Sequence, residues 1–136
     1  IKDIKYRKVK IEELISKFEL DAVRKVEAKF LSGGMKRRLV ISMSLLGDPE
    51  ILLMDEPLAA LDPQTIQMLQ TIIIRLQSEY NLTILITDHQ ARDLLVVCDK
   101  AIILSNSKIV AEGTPSQLMK NENATKYYFG DNFKFK

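Results

Sequence analysis

The amino-acid sequence predicts an α/β fold, with a mostly parallel sheet and flanking helices. A continuous apolar run at residues 51–54 and a largely apolar segment at 82–87 have the length and composition of strands buried on both faces, as strands of parallel sheets are. Apolar residues at helical spacing lie between them, and a third apolar run, at 101–104, follows a further helical stretch. Strand and helix therefore alternate along the chain, which is the pattern of a parallel sheet.

The composition narrows the class of protein. The 136 residues correspond to about one domain or a large part of one, and 46% of them are apolar, enough for a core. A net charge of +2 gives no reason to expect nucleic-acid binding. The single cysteine, Cys98, rules out an internal disulfide and fits a reducing cytosol. No apolar run reaches the ~18 residues of a membrane span, so we expect any membrane role to depend on a partner.

The first third of the chain is predicted to be helical. Residues 10–19 carry apolar side chains on one helical face, and residues 20–30 form a second, shorter helical stretch. Ser32 is a predicted N-cap for a third helix, which runs to about Leu46. The Gly-Asp-Pro sequence at 47–49 ends that helix.

Signals for the start of a helix also follow the first and second predicted strands. Asp62 is a predicted N-cap, with Pro63 at the first helical position, for the helix that follows the first strand. After the second strand, Asp88 and His89 precede a predicted helix that ends at about Val97. The apolar stripe of the longer helix is interpreted as core packing and consists of Ile66, Leu69, Ile73, Leu76 and Tyr80.

The last third of the chain begins with a predicted hairpin. The apolar runs 101–104 and 109–111 flank a polar turn at 105–108. Thr-Pro-Ser-Gln at 114–117 is a capping box with proline at the first helical position, so a short helix follows. A last helix is predicted at 122–129.

Charged and polar side chains follow the first two strands. In open parallel sheets the ligand site lies at the carboxyl ends of the strands, where Asp55, Glu56 and His89 are placed. Asp55 can hold Mg²⁺ directly or through water. Neighbouring strand side chains point to opposite faces, so Glu56 is expected to face an attacking water as general base. His89 can donate to a phosphate or orient the water. The simpler alternatives are solvated acids and a structural histidine.

A second candidate anion site lies at the start of the third helix. Ser32, Gly33 and Gly34 form a turn whose backbone N–H groups, at a helix N-terminus, can bind a phosphate. A glycine pair at this position can instead be a flexible cap. Because a helix separates this turn from the first strand, we expect it to serve a different phosphate from the one near Asp55.

The phosphate-binding loop that is common in nucleotide-binding proteins is missing from these residues. That loop, known as Walker A, requires G-x-x-x-x-G-K-[ST]. The glycines are Gly33, Gly34, Gly47, Gly113 and Gly130, and no spacing among them fits.

Four ordered motifs resemble those of ABC ATPases. Leu31–Met35 resembles the signature, Ile51–Glu56 the Walker B strand with its glutamate, Ala59–Asp62 the D-loop and Thr87–His89 the switch histidine, over about sixty residues. The resemblance implies the C-terminal part of a nucleotide-hydrolysing, P-loop NTPase-like domain whose Walker A part is absent. Its implied parts are a helical subdomain with the signature helix at 1–47, a core at 48–113 and C-terminal helices at 114–136.

The resemblance also implies ligands and partners. ATP and Mg²⁺ are the expected ligands, and a second ATPase domain is the expected partner in a head-to-tail homodimer. Transmembrane permease subunits would hold the pair at the cytoplasmic face of the inner membrane, with no role for nucleic acid. Glu56 and His89 would be catalytic and Asp55 would bind the metal. The residues implied to bind nucleotide or link the two sites are Ser32, Gly33, Gly34 and Asp62.

The transported substrate is implied by four further segments. Residues 85–90, 97–100, 111–115 and 127–133 resemble the ATPases of lipopolysaccharide-export transporters. Branched-chain amino-acid importer ATPases are similar through much of this region and remain an alternative. Met35 stands where the family usually has Gln or Glu, which puts the signature contacts at that position in question.

Two other readings stay open. The chain can be an interaction module that does not hydrolyse ATP. It can also be a non-transport ABC ATPase of the chromosome or repair type, although residues 1–30 lack the sustained heptads of the coiled coils in such proteins. Without a phosphate loop, we expect this chain alone to lack ATPase activity.

Overall fold

A computed structural model of the chain describes residues 3–130, which form two compact units that meet in sequence at Thr87 and Asp88. The first unit contains α1 (Ile4–Lys17), α2 (Gly33–Ser44), β1 (Ile51–Asp55), α3 (Pro63–Tyr80) and β2 (Thr83–Thr87). The second unit contains α4 (Ala91–Leu94), β3 (Ala101–Ser105), β4 (Lys108–Gly113), α5 (Pro115–Leu118), α6 (Glu122–Ala124) and a π-helical turn (Thr125–Phe129). The predicted alternation of strands and helices is confirmed.

The predicted N-caps of three helices are confirmed. The Ser32 hydroxyl accepts a hydrogen bond from the Met35 N–H at 3.2 Å and starts α2. Asp62 Oδ1 accepts from the Thr65 N–H at 3.0 Å and starts α3. Thr114 forms the predicted capping box with proline next to it. Each cap satisfies N–H groups that the first helical turn leaves without an acceptor.

The helices of the first unit differ from the prediction mainly at their ends. The first helix begins earlier than residue 10, at Ile4, and its Leu14 and the following Phe18 are buried. In place of a second helical stretch, residues 20–30 contain two short 3₁₀ turns, at Asp21–Val23 and Ala28–Phe30. The predicted stripe of α3 is confirmed as core at Ile66, Leu69, Ile73 and Leu76, whereas Tyr80, its last predicted member, is only partly buried.

A buried arginine joins the end of α1 to α2. The Arg38 guanidinium donates to the carbonyl oxygens of Phe18 at 3.0 Å and Glu19 at 3.3 Å. Carbonyl groups at a helix end lack partners within their own helix, so a cation placed there stabilises them. This contact fixes the position of α2, and with it the Ser-Gly-Gly turn, relative to α1.

The strands β1 and β2 pair in parallel, as the sequence predicts. Their register places Ile51 opposite Thr83 and Asp55 opposite Thr87. The prediction that both faces are buried is wrong for the described residues. Leu52 is buried, whereas Leu53 is 69% exposed. Because successive side chains alternate between faces, this pattern means that only one face of the pair is covered.

The third predicted strand does not join this parallel pair. In the second unit, β3 pairs antiparallel with β4. Only Asn106 and Ser107 connect them, with φ of 49° and 60°, and such a short turn permits only an antiparallel hairpin. The predicted hairpin turn is therefore confirmed. The preceding helix α4 ends at Leu94, short of the predicted end at Val97.

The second unit has its own apolar core. Phe129 and the half-buried Cys98 pack against this core, and burial raises the pKa of the Cys98 thiol. The buried residues of the core are Leu95, Ile103, Ala111, Leu118 and Ala124. The C-terminal turn is thus attached to the hairpin through Phe129.

Within residues 3–130, no helix combines the length and apolar character needed to cross a bilayer.

Candidate active site

A carboxylate lies at the carboxyl end of β1. Asp55 is the last residue of the strand, and Thr87 is its partner at the end of β2. The Thr87 hydroxyl donates a hydrogen bond to Asp55 Oδ1, which orients the carboxylate at the edge of the sheet. The carboxyl edge of a parallel pair is where ligands of α/β proteins bind.

The surroundings of Asp55 fit a magnesium ion that keeps most of its water. The Asp55 side chain is exposed, and Thr87 occupies only one of its two oxygens through a single hydrogen bond. Among residues 3–130 there is no group of three or more His, Cys, Asp or Glu side chains that could enclose a metal. Mg²⁺ needs no such enclosure, because it commonly binds through one or two carboxylates, waters and substrate phosphates.

Glu56 lies beyond the strand, in a turn. Its φ of 45° is in the left-handed region, which few non-glycine residues adopt. The Glu56 N–H donates to the Thr87 carbonyl at 2.7 Å, and its carbonyl accepts from Arg37 Nη2 at 2.8 Å. The expectation that strand alternation directs Glu56 is therefore wrong. The turn sets its direction, and contacts from β2 and α2 hold the turn.

The Ser-Gly-Gly turn packs closely against α3. A Cβ atom on Gly34 would lie 2.6 Å from Thr65 Cγ2, a distance that real Cβ atoms essentially never show. A Cβ atom on Gly33 would lie 3.7 Å from Leu61, which is ordinary contact. The two glycines thus differ in the space around them, because the packing against α3 leaves room for a side chain at Gly33 but not at Gly34. The N–H groups of this first turn still have no acceptor in their own helix.

Thr65 connects this turn to Asp62. While its methyl group faces Gly34, its hydroxyl donates to Asp62 Oδ2 at 2.6 Å. This hydrogen bond and the one from the Thr65 N–H lower the pKa of Asp62. Thr65 therefore contacts both the turn that resembles the signature and Asp62, the last residue of the segment that resembles the D-loop.

His89 belongs to the second unit, where its side chain is exposed. In sequence it lies in the segment that connects β2 to α4. The Asp88 carboxylate accepts from the Gln90 N–H at 2.9 Å, which closes a local turn around His89. The His89 carbonyl accepts from the Tyr128 hydroxyl at 2.8 Å. A hydrogen bond from the C-terminal turn therefore holds the backbone of His89.

The structure places Asp55 and Glu56 together at the end of β1 and, separately, brings the Ser-Gly-Gly turn close to Asp62 through Thr65. It also adds contacts that the sequence does not indicate. Arg37 joins α2 to the turn of Glu56, and Tyr128 joins the C-terminal turn to His89. Neither contact has a sequence signal, because each depends on long-range packing. The Thr65 contact with Asp62 could have been expected, since a hydroxyl three residues after an N-cap lies within reach of it.

Known proteins match the chain in sequence. A family model described as ABC transporter matches residues 3–59. The lipopolysaccharide export system ATP-binding protein LptB of Haemophilus influenzae is 40% identical over 94% of this chain and 53% of its own length. LptB of Escherichia coli is 35% identical over the same shares. An uncharacterized ABC transporter ATP-binding protein of Rhizobium meliloti is 35% identical over 93% of the chain and 47% of its own length. The chain spans about half the length of these relatives.

Solved structures match the fold. The ATP-binding cassette MJ1267 in its ADP conformation superposes with a TM-score of 0.82 at 23% identity, over 96% of this chain and 52% of that one. The protein cbiO1 of Clostridium perfringens superposes with a TM-score of 0.78 at 22% identity, over 88% of this chain and 47% of that one. The predicted α/β, P-loop NTPase-like fold is thus confirmed. By its sequence matches, the chain is similar to ABC transporter ATP-binding proteins over about half of their length.

Proposed function

We propose that these residues form part of the ATP-binding and ATP-hydrolysing subunit of an ABC transporter, with lipopolysaccharide export as the transport process. The observation that carries the proposal is the arrangement at the end of β1. There, Asp55 is oriented by the Thr87 hydroxyl, and Glu56 is held in a turn by hydrogen bonds of its N–H group to Thr87 and of its carbonyl group to Arg37. A metal-binding carboxylate followed directly by a potential general base is the pair that phosphoryl transfer to water requires.

In the proposed mechanism each residue of the chain has one task. Asp55 would hold Mg²⁺, directly or through water, and the ion would neutralise charge on the phosphates. Glu56 accepts the proton of the attacking water. His89 donates a hydrogen bond to the γ-phosphate. Positioning and charge stabilisation account for most of the rate enhancement in such reactions.

The Ser-Gly-Gly turn acts on a second nucleotide in this proposal. Ser32, Gly33 and Gly34 bind the γ-phosphate held by the other ATPase domain of a head-to-tail homodimer, through N–H groups at the start of α2. Asp62 links the two sites, and its contact with Thr65 next to Gly34 supports this role. Closure and reopening of the pair would move permease subunits at the cytoplasmic face of the inner membrane.

The proposed division of the chain follows the motifs. Residues 1–47 supply the signature helix, 48–113 the catalytic core and 114–136 the C-terminal helices, of which 131–136 lie outside the described residues. Lipopolysaccharide export is supported by the similarity to the LptB proteins of Haemophilus influenzae and Escherichia coli. A branched-chain amino-acid importer ATPase is the second candidate, on the resemblance noted above, and an interaction module without hydrolysis is the third.

Hydrolysis should depend on residues outside this sequence. We expect the 136-residue chain to show no measurable ATPase activity, because it lacks a Walker A loop to hold the phosphates. The same chain extended upstream in its gene should hydrolyse ATP in the presence of Mg²⁺ and stop when EDTA removes the metal. Phosphate release from both purified proteins is the measurement. An inactive extended protein would favour the interaction module, and a metal-dependent rate from the short chain would contradict the proposed division of the site.

A further inference from the structure

The C-terminal turn reaches the loop that carries the predicted switch histidine. Tyr128 lies on the π-helical turn Thr125–Phe129, and its hydroxyl donates to the His89 carbonyl at 2.8 Å. The Asp88 carbonyl lies farther from the same hydroxyl, at 3.5 Å. Two hydrogen bonds therefore hold the loop. The Asp88 carboxylate accepts one from the Gln90 N–H within the loop, and the Tyr128 hydroxyl donates the other to the His89 carbonyl.

Tyr128 is itself held by the fold of the second unit. Its ring meets the Phe129 ring edge to face, with centroids 5.8 Å apart, and Phe129 packs against the apolar core. The turn closes with a hydrogen bond of 2.8 Å from the Gly130 N–H to the Thr125 carbonyl, and it ends at Gly130 with a φ of 75°. Only glycine adopts that φ freely.

The Tyr128 hydroxyl remains a donor at neutral pH. Partial burial raises the pKa of Tyr128 above its usual value of 10.0, and the nearby Asp88 charge raises it further. The phenol therefore keeps its proton and can donate to the carbonyl of His89 under all ordinary conditions.

We infer that Tyr128 is a positioning residue for His89. Its hydroxyl fixes the peptide that follows the His89 Cα atom, and so limits the directions in which the imidazole can leave the backbone. The inference rests on the proposed function of His89. It also gives the aromatic C-terminal turn a task beyond packing, because that turn would hold the loop of the switch histidine in place.

Tyr128→Phe removes the hydroxyl and keeps the ring that contacts Phe129. In the upstream-extended protein we expect kcat to fall by about three- to tenfold, with KM for ATP unchanged, because one hydrogen bond of ordinary strength is lost. Tyr127→Phe is the matched control. It lies on the same turn, is 51% exposed and should leave both constants unchanged.

A double-mutant cycle with His89→Ala separates positioning from general stability. If Tyr128 acts through His89, then Tyr128→Phe should have no further effect on kcat in the His89→Ala background. An equal loss in both backgrounds, or no loss from Tyr128→Phe alone, would overturn the inference. If His89→Ala alone keeps normal turnover, the proposed role of His89 fails instead.

The contact can also be tested without catalysis. In the 136-residue chain, Tyr128→Phe should shift the NMR resonance of the His89 carbonyl carbon, which senses hydrogen bonds to that oxygen. Tyr127→Phe should leave the resonance in place. An unchanged resonance in Tyr128→Phe would contradict the contact itself, whatever the outcome for turnover.

Discussion

In an upstream-extended protein, Glu56→Gln should leave ATP binding intact and lower turnover by roughly 10²–10⁴-fold, the usual contribution of a general base. Glutamine keeps the size of the side chain but cannot accept the proton of the attacking water. The backbone of Glu56 is held by Thr87 and Arg37, so the turn should survive the substitution. Steady-state kcat and equilibrium ATP binding, measured on the same preparation, test both halves of the prediction.

Glu50→Gln is the matched control for this experiment. Glu50 is exposed and immediately precedes β1, whereas Glu56 follows that strand, so the same chemical change is made at the opposite end. We expect normal turnover from Glu50→Gln. Normal turnover from Glu56→Gln would remove Glu56 from the catalytic role.

Gly34→Ala should lower the free energy of unfolding of the 136-residue chain by about 1–3 kcal/mol, the usual effect of overpacking a tight contact. The new methyl group would lie 2.6 Å from Thr65 Cγ2, so either the Thr65 side chain or the two helices must shift. Gly33→Ala should instead be neutral or stabilising by up to about 1 kcal/mol, because its methyl group has room and alanine favours helix. Urea unfolding of both variants measures the difference.

Thr65→Ser provides the rescue for Gly34→Ala. Serine lacks the methyl group in the contact but keeps the hydroxyl that donates to Asp62. The double variant should recover part of the lost stability. Equal stabilities for Gly33→Ala and Gly34→Ala would mean that the close approach of the turn to α3 is absent in solution.

Local signals in the sequence predicted the helix starts and the hairpin. The caps at Ser32, Asp62 and Thr114 were predictable because a capping side chain bonds to N–H groups two or three residues away. The turn at Asn106 and Ser107 was also predictable from local sequence, since a short polar segment between two apolar runs favours a tight turn.

Features that depend on distant packing were not predictable. The continuous apolar run of β1 suggested a strand covered on both sides, but coverage is decided by which elements lie against each face. Leu53 is accordingly exposed among the described residues. The left-handed backbone of Glu56 depends on contacts from Thr87 and Arg37, far away in sequence. The hydrogen bond between Tyr128 and His89 likewise joins residues that no local pattern connects.

Calorimetric titration with Mg²⁺ and ATP, on this chain and on the same chain extended upstream in its gene, tests whether these residues form part of an ATP-binding domain. We expect binding by the extended protein only, because residues 1–136 supply the carboxylates and the Ser-Gly-Gly turn but no Walker A loop. Binding by neither protein would contradict the assignment as an ATPase and favour an interaction module. Tight binding by the short chain would show that its phosphate site lies elsewhere than proposed.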